Sequence, residues 1–244
     1  MRALRPALMI AMASGVLVAA NPASAAAADT GFRFDFEDLP ALEQRVVTDV
    51  SGNGRDGFVL SDGGGRVRAV EGYDGTTSAD FPRPCDDEQC PQAVVQVADD
   101  PALAPGTQPF QLGAQVRLRP HQTSPGANVV QKGLHGDPGG QWKLQVDGEE
   151  GLPSCVVSGA LDGQRQRTRV TSAASVSDGE WHQVTCSRTG SGLAVLVDGA
   201  VTGWETAAPA SVTTTAPVTI GGKNVLRGTD QFHGALDEVF FTTG

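Results

Sequence analysis

Oxygen-bearing side chains carry most of the chemistry this chain could do. The segment Asp49-Val-Ser-Gly-Asn-Gly-Arg-Asp-Gly57 spaces Asp49 and Asn53 around two glycines. Positive φ at Gly52 and Gly54 would fold both side chains back onto local amides. Two readings stay open for this segment. One is a hard cation such as Ca²⁺, which takes six to eight oxygen ligands; the other is a plain Asx-type turn. Farther on, Asp237 alternates in phase with Ala235, Val239 and Phe241. That puts a carboxylate at a half-buried position, where it needs a metal or hydrogen-bond donors. Paired catalytic acids are missing. Glu37-Asp38 and Glu149-Glu150 are adjacent in sequence, so each pair would point to opposite faces of a strand and could not act together on one sugar bond. His182 has no serine or cysteine nucleophile motif to serve. Phosphate-loop, HExxH and GxSxG patterns are also absent.

Aromatic residues supply the other candidate chemistry, stacking on a sugar ring. The chain has 3 Trp, 9 Phe and a single Tyr, Tyr73. Trp142 alternates with Leu144 and Val146 and belongs to a core; Trp181 is also expected to pack in the core. Trp204 lies beyond the Asp198-Gly199 turn, beside a glycine and an acid. It is the best exposed candidate for a ligand contact, with edge packing as the alternative.

The elements that must position these residues are strands. Glycine and proline punctuate the chain every eight to twelve residues, and the intervening segments alternate apolar with polar positions. In 110–118, Phe110, Leu112, Ala114, Val116 and Leu118 face one way, and Gln111, Gln115 and Arg117 the other. Further strands are expected at 32–36, 58–60, 93–98, 128–132, 141–147, 154–158, 167–173, 181–187, 193–197, 217–220 and 235–241. Asp198-Gly199 reads as a hairpin turn leading into another strand near Ala200. So many short strands, each with one buried face, predict an all-β fold of two packed antiparallel sheets. No repeat of 20–50 residues suggests a propeller or solenoid.

An export signal opens the chain. Arg2 and Arg5 precede the apolar run Ala7–Ala20, and Ala23-Ser-Ala25 forms an A-x-A cleavage site, giving a signal peptide at 1–25 and a single domain at 26–244. The apolar run is shorter than the roughly 20 residues a membrane span needs. The expected product is secreted and not inserted in a membrane. The chain has 18 basic and 28 acidic residues, a net charge of −10, and loses Arg2 and Arg5 with the leader. Such a surface disfavours nucleic acid and anionic membranes, and no basic stripe offsets it. In an exported chain, four cysteines imply disulfides. Of the three possible pairings, Cys85–Cys90 and Cys155–Cys186 are favoured. The first closes the acidic loop Cys85-Asp-Asp-Glu-Gln-Cys90. In the second, both cysteines share parity with apolar neighbours, Val157 and Val184. Zinc is the competing use, but no CxxC pair is present.

Three segments occur in fixed order: Asp178-Gly-Glu-Trp-His-Gln-Val184, Leu196-Val-Asp-Gly199 and Phe232-His-Gly-Ala-Leu-Asp-Glu-Val-Phe-Phe241. This grammar, with the Asp49 turn, resembles the laminin G-like branch of the concanavalin A-like lectin/glucanase superfamily, in its bacterial secreted form. The resemblance runs from about Phe32 to Phe241 and implies a concanavalin A-like jelly-roll sandwich. It also implies that the N-terminal turn and the C-terminal strand lie side by side, so that Asp49, Asn53 and Asp237 would hold a structural Ca²⁺. Phe240-Phe241 stand where relatives often carry arginine or tyrosine, and the Cys85–Cys90 loop is not a general family feature. Laminarinase-type relatives carry a Glu-x-Asp-x-x-Glu strand that is missing here. The expected function is therefore a non-catalytic binding module for a glycan or an extracellular protein. The alternatives are a glycoside hydrolase or lyase with an unrecognised site, and a structural or adhesion domain of a cell-surface assembly.

Overall fold

Alternation sets the strands, and turn residues end them. A computed structural model describes residues 31–39, 45–87, 89–226, 228 and 230–243; the leader at 1–25 lies outside the described residues. Among these, sixteen strands follow in order: β1 (Phe32–Phe34), β2 (Val46–Val47), β3 (Gly57–Asp62), β4 (Arg68–Glu71), β5 (Thr77–Asp80), β6 (Gln92–Val97), β7 (Phe110–Arg117), β8 (Ala127–Lys132), β9 (Gln141–Asp147), β10 (Leu152–Leu161), β11 (Gln164–Thr171), β12 (Trp181–Arg188), β13 (Gly192–Val197), β14 (Ala200–Thr206), β15 (Val218–Ile220) and β16 (Ala235–Thr243). The first sheet runs β14-β13-β12-β7-β16-β5-β4, with β1 also paired to β16; the second runs β11-β10-β9-β8-β15-β6-β3-β2. All pairings are antiparallel. This is the two-sheet sandwich the sequence predicts. Among the described residues no helix is long and apolar enough to cross a membrane.

Turn chemistry matches the hairpins. Asp198 and Gly199 have φ of 51° and 77°, and Asp162 and Gly163 have 51° and 74°. Positive φ at both central residues gives a twist that suits right-handed strands. Phe36, with φ 58°, ends β1 earlier than the expected 32–36. β11 begins at Gln164, ahead of the expected Arg167. The short strands β2, β4 and β5 carry too little apolar alternation to be read from sequence.

One buried cluster fills the space between the sheets. The Phe241 ring contacts Trp142 at 4.8 Å, Phe110 at 5.6 Å and Phe32 at 6.1 Å, binding strands from both layers. Each such buried side chain contributes about 1.5–3 kcal/mol. The Trp142 indole N–H donates to the Leu103 carbonyl at 2.9 Å, so its one polar atom is satisfied. Both expected disulfides are present: Cys85–Cys90, and Cys155–Cys186, which joins β10 of the second sheet to β12 of the first.

Candidate functional site

A β-bulge in β16 lies beneath a depression on the surface. Asp237 pairs with Gln115 and Phe240 with Gly113, so Glu238 and Val239 together oppose the single residue Ala114. Glu238 absorbs the extra length at φ 49°, a conformation that costs a non-glycine residue about 1–2 kcal/mol. The bulge also shifts the phase of the strand. Leu236, Val239 and Phe241 are in the core, while Asp237 and Phe240 point outward. The expected in-phase alternation of Asp237 with Val239 and Phe241 is therefore corrected: the added residue between them reverses the side.

On this outer face Arg33, Tyr73, Asp74, Gln115, Gln183, Glu238 and Phe240 surround a depression of about 510 Å³. That volume lies within the range of small-ligand sites. Phe240 forms its floor, its ring lying over Gly113, where an added Cβ would come within 2.7 Å. Tyr73 is 40% exposed on the turn between β4 and β5. Arg33 Nε donates to Glu238 Oε2 at 2.5 Å, which ties β1 to the bulge. The site thus combines two rings, two carboxamides, a guanidinium and two carboxylates.

The acids singled out in sequence hold the walls of this depression. Asp49 Oδ1 accepts from the Arg33 amide at 3.0 Å and from Ser51 N, and Oδ2 accepts from Arg55 N at 2.9 Å. Burial alone would raise its carboxyl, but these amide donors outweigh it and hold the pKa below the usual range. Asp237 Oδ2 accepts from Tyr73 N at 3.2 Å and Thr76 Oγ1 at 3.1 Å, and Oδ1 accepts from Glu238 N at 2.8 Å. A side chain at Gly72 would collide with that carboxylate, its Cβ 2.7 Å from Oδ2. Asn53 donates to Gly31 O at 3.0 Å. Asp49 and Asp237 therefore clamp the backbones of Arg33 and Tyr73, through two hydrogen-bond sets with no shared donor. Among the described residues no group of three or more His, Cys, Asp or Glu side chains is arranged to hold a metal. The expected Ca²⁺ set of Asp49, Asn53 and Asp237 has only two such acids, and both accept backbone amides here.

Burial, reinforced by the negative charge of Glu238, pushes the Asp237 carboxyl up to about 6, against the lowering effect of its three hydrogen bonds. The native state therefore holds a proton that the unfolded chain releases near pH 4. Stability from this group is present at low pH and falls as pH rises from about 4 through 6. At about 1.4 kcal/mol per pKa unit the shift sets a ceiling of roughly 3 kcal/mol, and partial solvation of the carboxyl reduces the expected loss to about 1–2 kcal/mol. Chemical denaturation of wild type and Asp237→Asn at pH 4.5, 5.5 and 7 should show the variant gaining relative stability across that window. A pH-independent difference would contradict the assignment.

The other candidates fall as follows. Trp204 is 48% exposed on β14 and donates to Thr206 Oγ1 at 3.4 Å. It shares the outer face with the depression but does not line it. Trp204, Ala194, Ser187, Gln111 and Thr242 form one cross-strand row of otherwise short or flexible side chains leading to the rim. Trp181 is not in the core, correcting the expectation: it has the parity opposite to Val184 and Cys186, and Arg117 lies 4.7 Å above its ring. His182 bridges two acids, with Nδ1 2.8 Å from Asp198 Oδ2 and Nε2 3.2 Å from Asp178. Burial lowers its pKa, but the two carboxylates outweigh this and raise it. The sequence reading missed Arg33, Tyr73, Gln115, Gln183, Glu238 and Phe240 as site residues. The outward parity of Gln115 and Gln183 was the available signal.

A family model of the laminin G type, described as the concanavalin A-like lectin/glucanases superfamily, matches residues 91–242. The chain belongs to the concanavalin A-like lectin/glucanases superfamily. No curated protein sequence matches it. Among solved structures it is similar to domain 4 of AbnA, an extracellular GH43 arabinanase from Geobacillus stearothermophilus, determined with arabinotriose. The two share 18% identity and a TM-score of 0.61 over 88% of this chain and 92% of that one. It is also similar to the binding domain of botulinum neurotoxin DC in complex with SialylT, at 9% identity and TM-score 0.54, covering 88% of this chain and 48% of that one. A botulinum neurotoxin type C structure, described as dependent on two ganglioside molecules for cell entry, gives 9% identity and TM-score 0.56 over 86% and 47%. This superfamily member thus spans about half the length of the neurotoxin chains it resembles. At such identities the likeness is one of fold.

Proposed function

We propose that the protein is a secreted, non-catalytic glycan-binding module whose site is the depression over β1, β7, β12 and β16. The observation that carries this reading is the composition of the depression. An exposed tyrosine and a phenylalanine floor offer apolar faces to a sugar, and Gln115, Gln183, Arg33 and Asp74 offer donors and acceptors to its hydroxyls. Trp204 would extend the site for a longer chain. The arabinotriose and ganglioside contexts of structural neighbours support a saccharide as the first ligand class to test. Two disulfides support an oxidising, extracytoplasmic setting.

Catalysis is disfavoured by the state of the acids. Glu238 is held by Arg33, and Asp237, with its raised pKa, spends both oxygens on the Tyr73–Thr76 turn and Glu238 N. Of the two acids lining the depression, Glu238 is thus engaged by a guanidinium and only Asp74 is left, whereas glycoside hydrolysis takes two cooperating carboxyl groups.

Affinity electrophoresis and calorimetry against a panel of neutral oligo- and polysaccharides, with arabinotriose included, test the proposal. Binding of at least one member is expected, without release of reducing sugar. Tyr73→Ala and Gln115→Ala should each weaken it about tenfold or more, equivalent to about 1.4 kcal/mol. Wild-type affinity in both variants would reject this site, and a blank panel would reject the glycan reading.

A further inference from the structure

The opposite side of the sandwich carries a surface of different chemistry. In β11, Arg165, Arg167 and Arg169 alternate with neutral residues, so all three share the outer face of the second sheet at an edge strand, about 7 Å apart. The expectation that no basic stripe exists is thus corrected. Intervening glutamine and threonine hide it from a search for charge runs. All three arginines are exposed, and only Arg169 is in an ion pair among the described residues, with Asp147. The rest of the chain is strongly acidic. Acids more than about 8 Å away are largely screened at physiological salt, so the local charge governs attraction at this face.

The face continues across β10, β9, β8 and β15 as buried polar groups. Ser158 pairs with Arg167 on one side and Gln141 on the other, Gln145 pairs with Ser154, and Thr219 with Gln131. Ser158 Oγ, Gln145 Oε1 and Thr219 Oγ1 are each buried without a hydrogen-bond partner. Their residues are 0%, 4% and 3% exposed. Gln92 Oε1, on the same face in β6, is a fourth. An unpartnered buried polar atom costs about 1–3 kcal/mol, so four on one face of one sheet call for an occupant that supplies donors and acceptors. Lys143, in the same rows, reaches among the described residues only Asn128 Oδ1 at 3.2 Å and Asp230 at 4.0 Å. Burial, opposed by Asp230, pushes its pKa down to about 8.

We infer that this outer face is a second ligand surface, separate from the depression, for an acidic polysaccharide. Its carboxylates pair with Arg165, Arg167 and Arg169, and its hydroxyls satisfy Ser158, Gln145 and Thr219. Arginine suits this role because its planar fork pairs a carboxylate through two hydrogen bonds.

The test is affinity electrophoresis of the full exported chain in gels containing polygalacturonate or its methyl ester, which keeps the backbone and removes the charge. Retardation by polygalacturonate alone is expected, weakening as salt is raised. Arg165→Gln/Arg167→Gln should reduce it at least fivefold. Thr219→Val should weaken binding while leaving the melting temperature unchanged or higher, because the lost hydroxyl had no partner; damage to the fold would lower both. Tyr73→Ala should leave retardation intact, which separates this surface from the first site. Equal retardation by the methyl ester, undiminished binding by the double arginine variant, or equal retention by polyphosphate at matched salt would each overturn the inference.

Discussion

Replacing both Cys155 and Cys186 with alanine should lower the melting temperature by about 10 °C. The bond closes a stretch with sequence separation 31 and links β10 to β12 across the core. In the chain-entropy picture such a crosslink contributes about 3–4 kcal/mol by restricting the unfolded chain. For a domain of this size each kcal/mol moves the midpoint by roughly 2–4 °C. Both cysteines are fully buried in the central cluster, so truncation also removes packing. Cys85–Cys90, with sequence separation 5, closes a much smaller loop. Its removal should cost about 2 kcal/mol on the same basis. Scanning calorimetry of the two double variants checks the ranking. A drop of less than about 2 °C for the Cys155/Cys186 variant would show that the inter-sheet bond does not stabilise the fold.

Arg188→Ala should be comparably damaging, at roughly 3 kcal/mol. Arg188 is 4% exposed, and its charge is met by carbonyls: Nε donates to Gln108 O at 3.1 Å, Nη1 to Ala210 O at 2.9 Å and Nη2 to Gly106 O at 2.8 Å. Its guanidinium stacks 4.4 Å from the Phe110 ring. Burial lowers its pKa to about 10, which leaves it protonated at neutral pH. Alanine would strand those carbonyls and open a cavity. Arg188→Lys should recover only part of the loss, since an ammonium cannot span acceptors from three residues in a plane. Urea denaturation showing less than about 0.5 kcal/mol for the alanine variant would contradict this role.

These two predictions concern parts of the fold that sequence exposes unequally. Cys155 and Cys186 announce themselves by parity with Val157 and Val184, and Trp142 by alternation with Leu144 and Val146. Arg188 does not, because a charged residue at an inward strand position reads as a boundary until its carbonyl partners are known. The sandwich was legible because period-2 alternation is a local property of each strand. The depression was not, because its contacts are non-local: Arg33 and Glu238 lie 205 residues apart, and Tyr73 N and Asp237 164. The bulge at Glu238 hid it further by reversing the phase of Asp237 within one strand. Asp49 and Asp237 were legible as special positions. Their role as backbone clamps depends on which amides the fold delivers to them.

Tyr73 offers the most direct check of glycan binding in the depression, since it is the chain's one tyrosine. Isotopic labelling of its ring gives a single signal from the proposed site. Titration with a saccharide that binds by calorimetry should shift that signal saturably, with the same dissociation constant. A saccharide that binds while the Tyr73 signal stays unmoved would contradict the account.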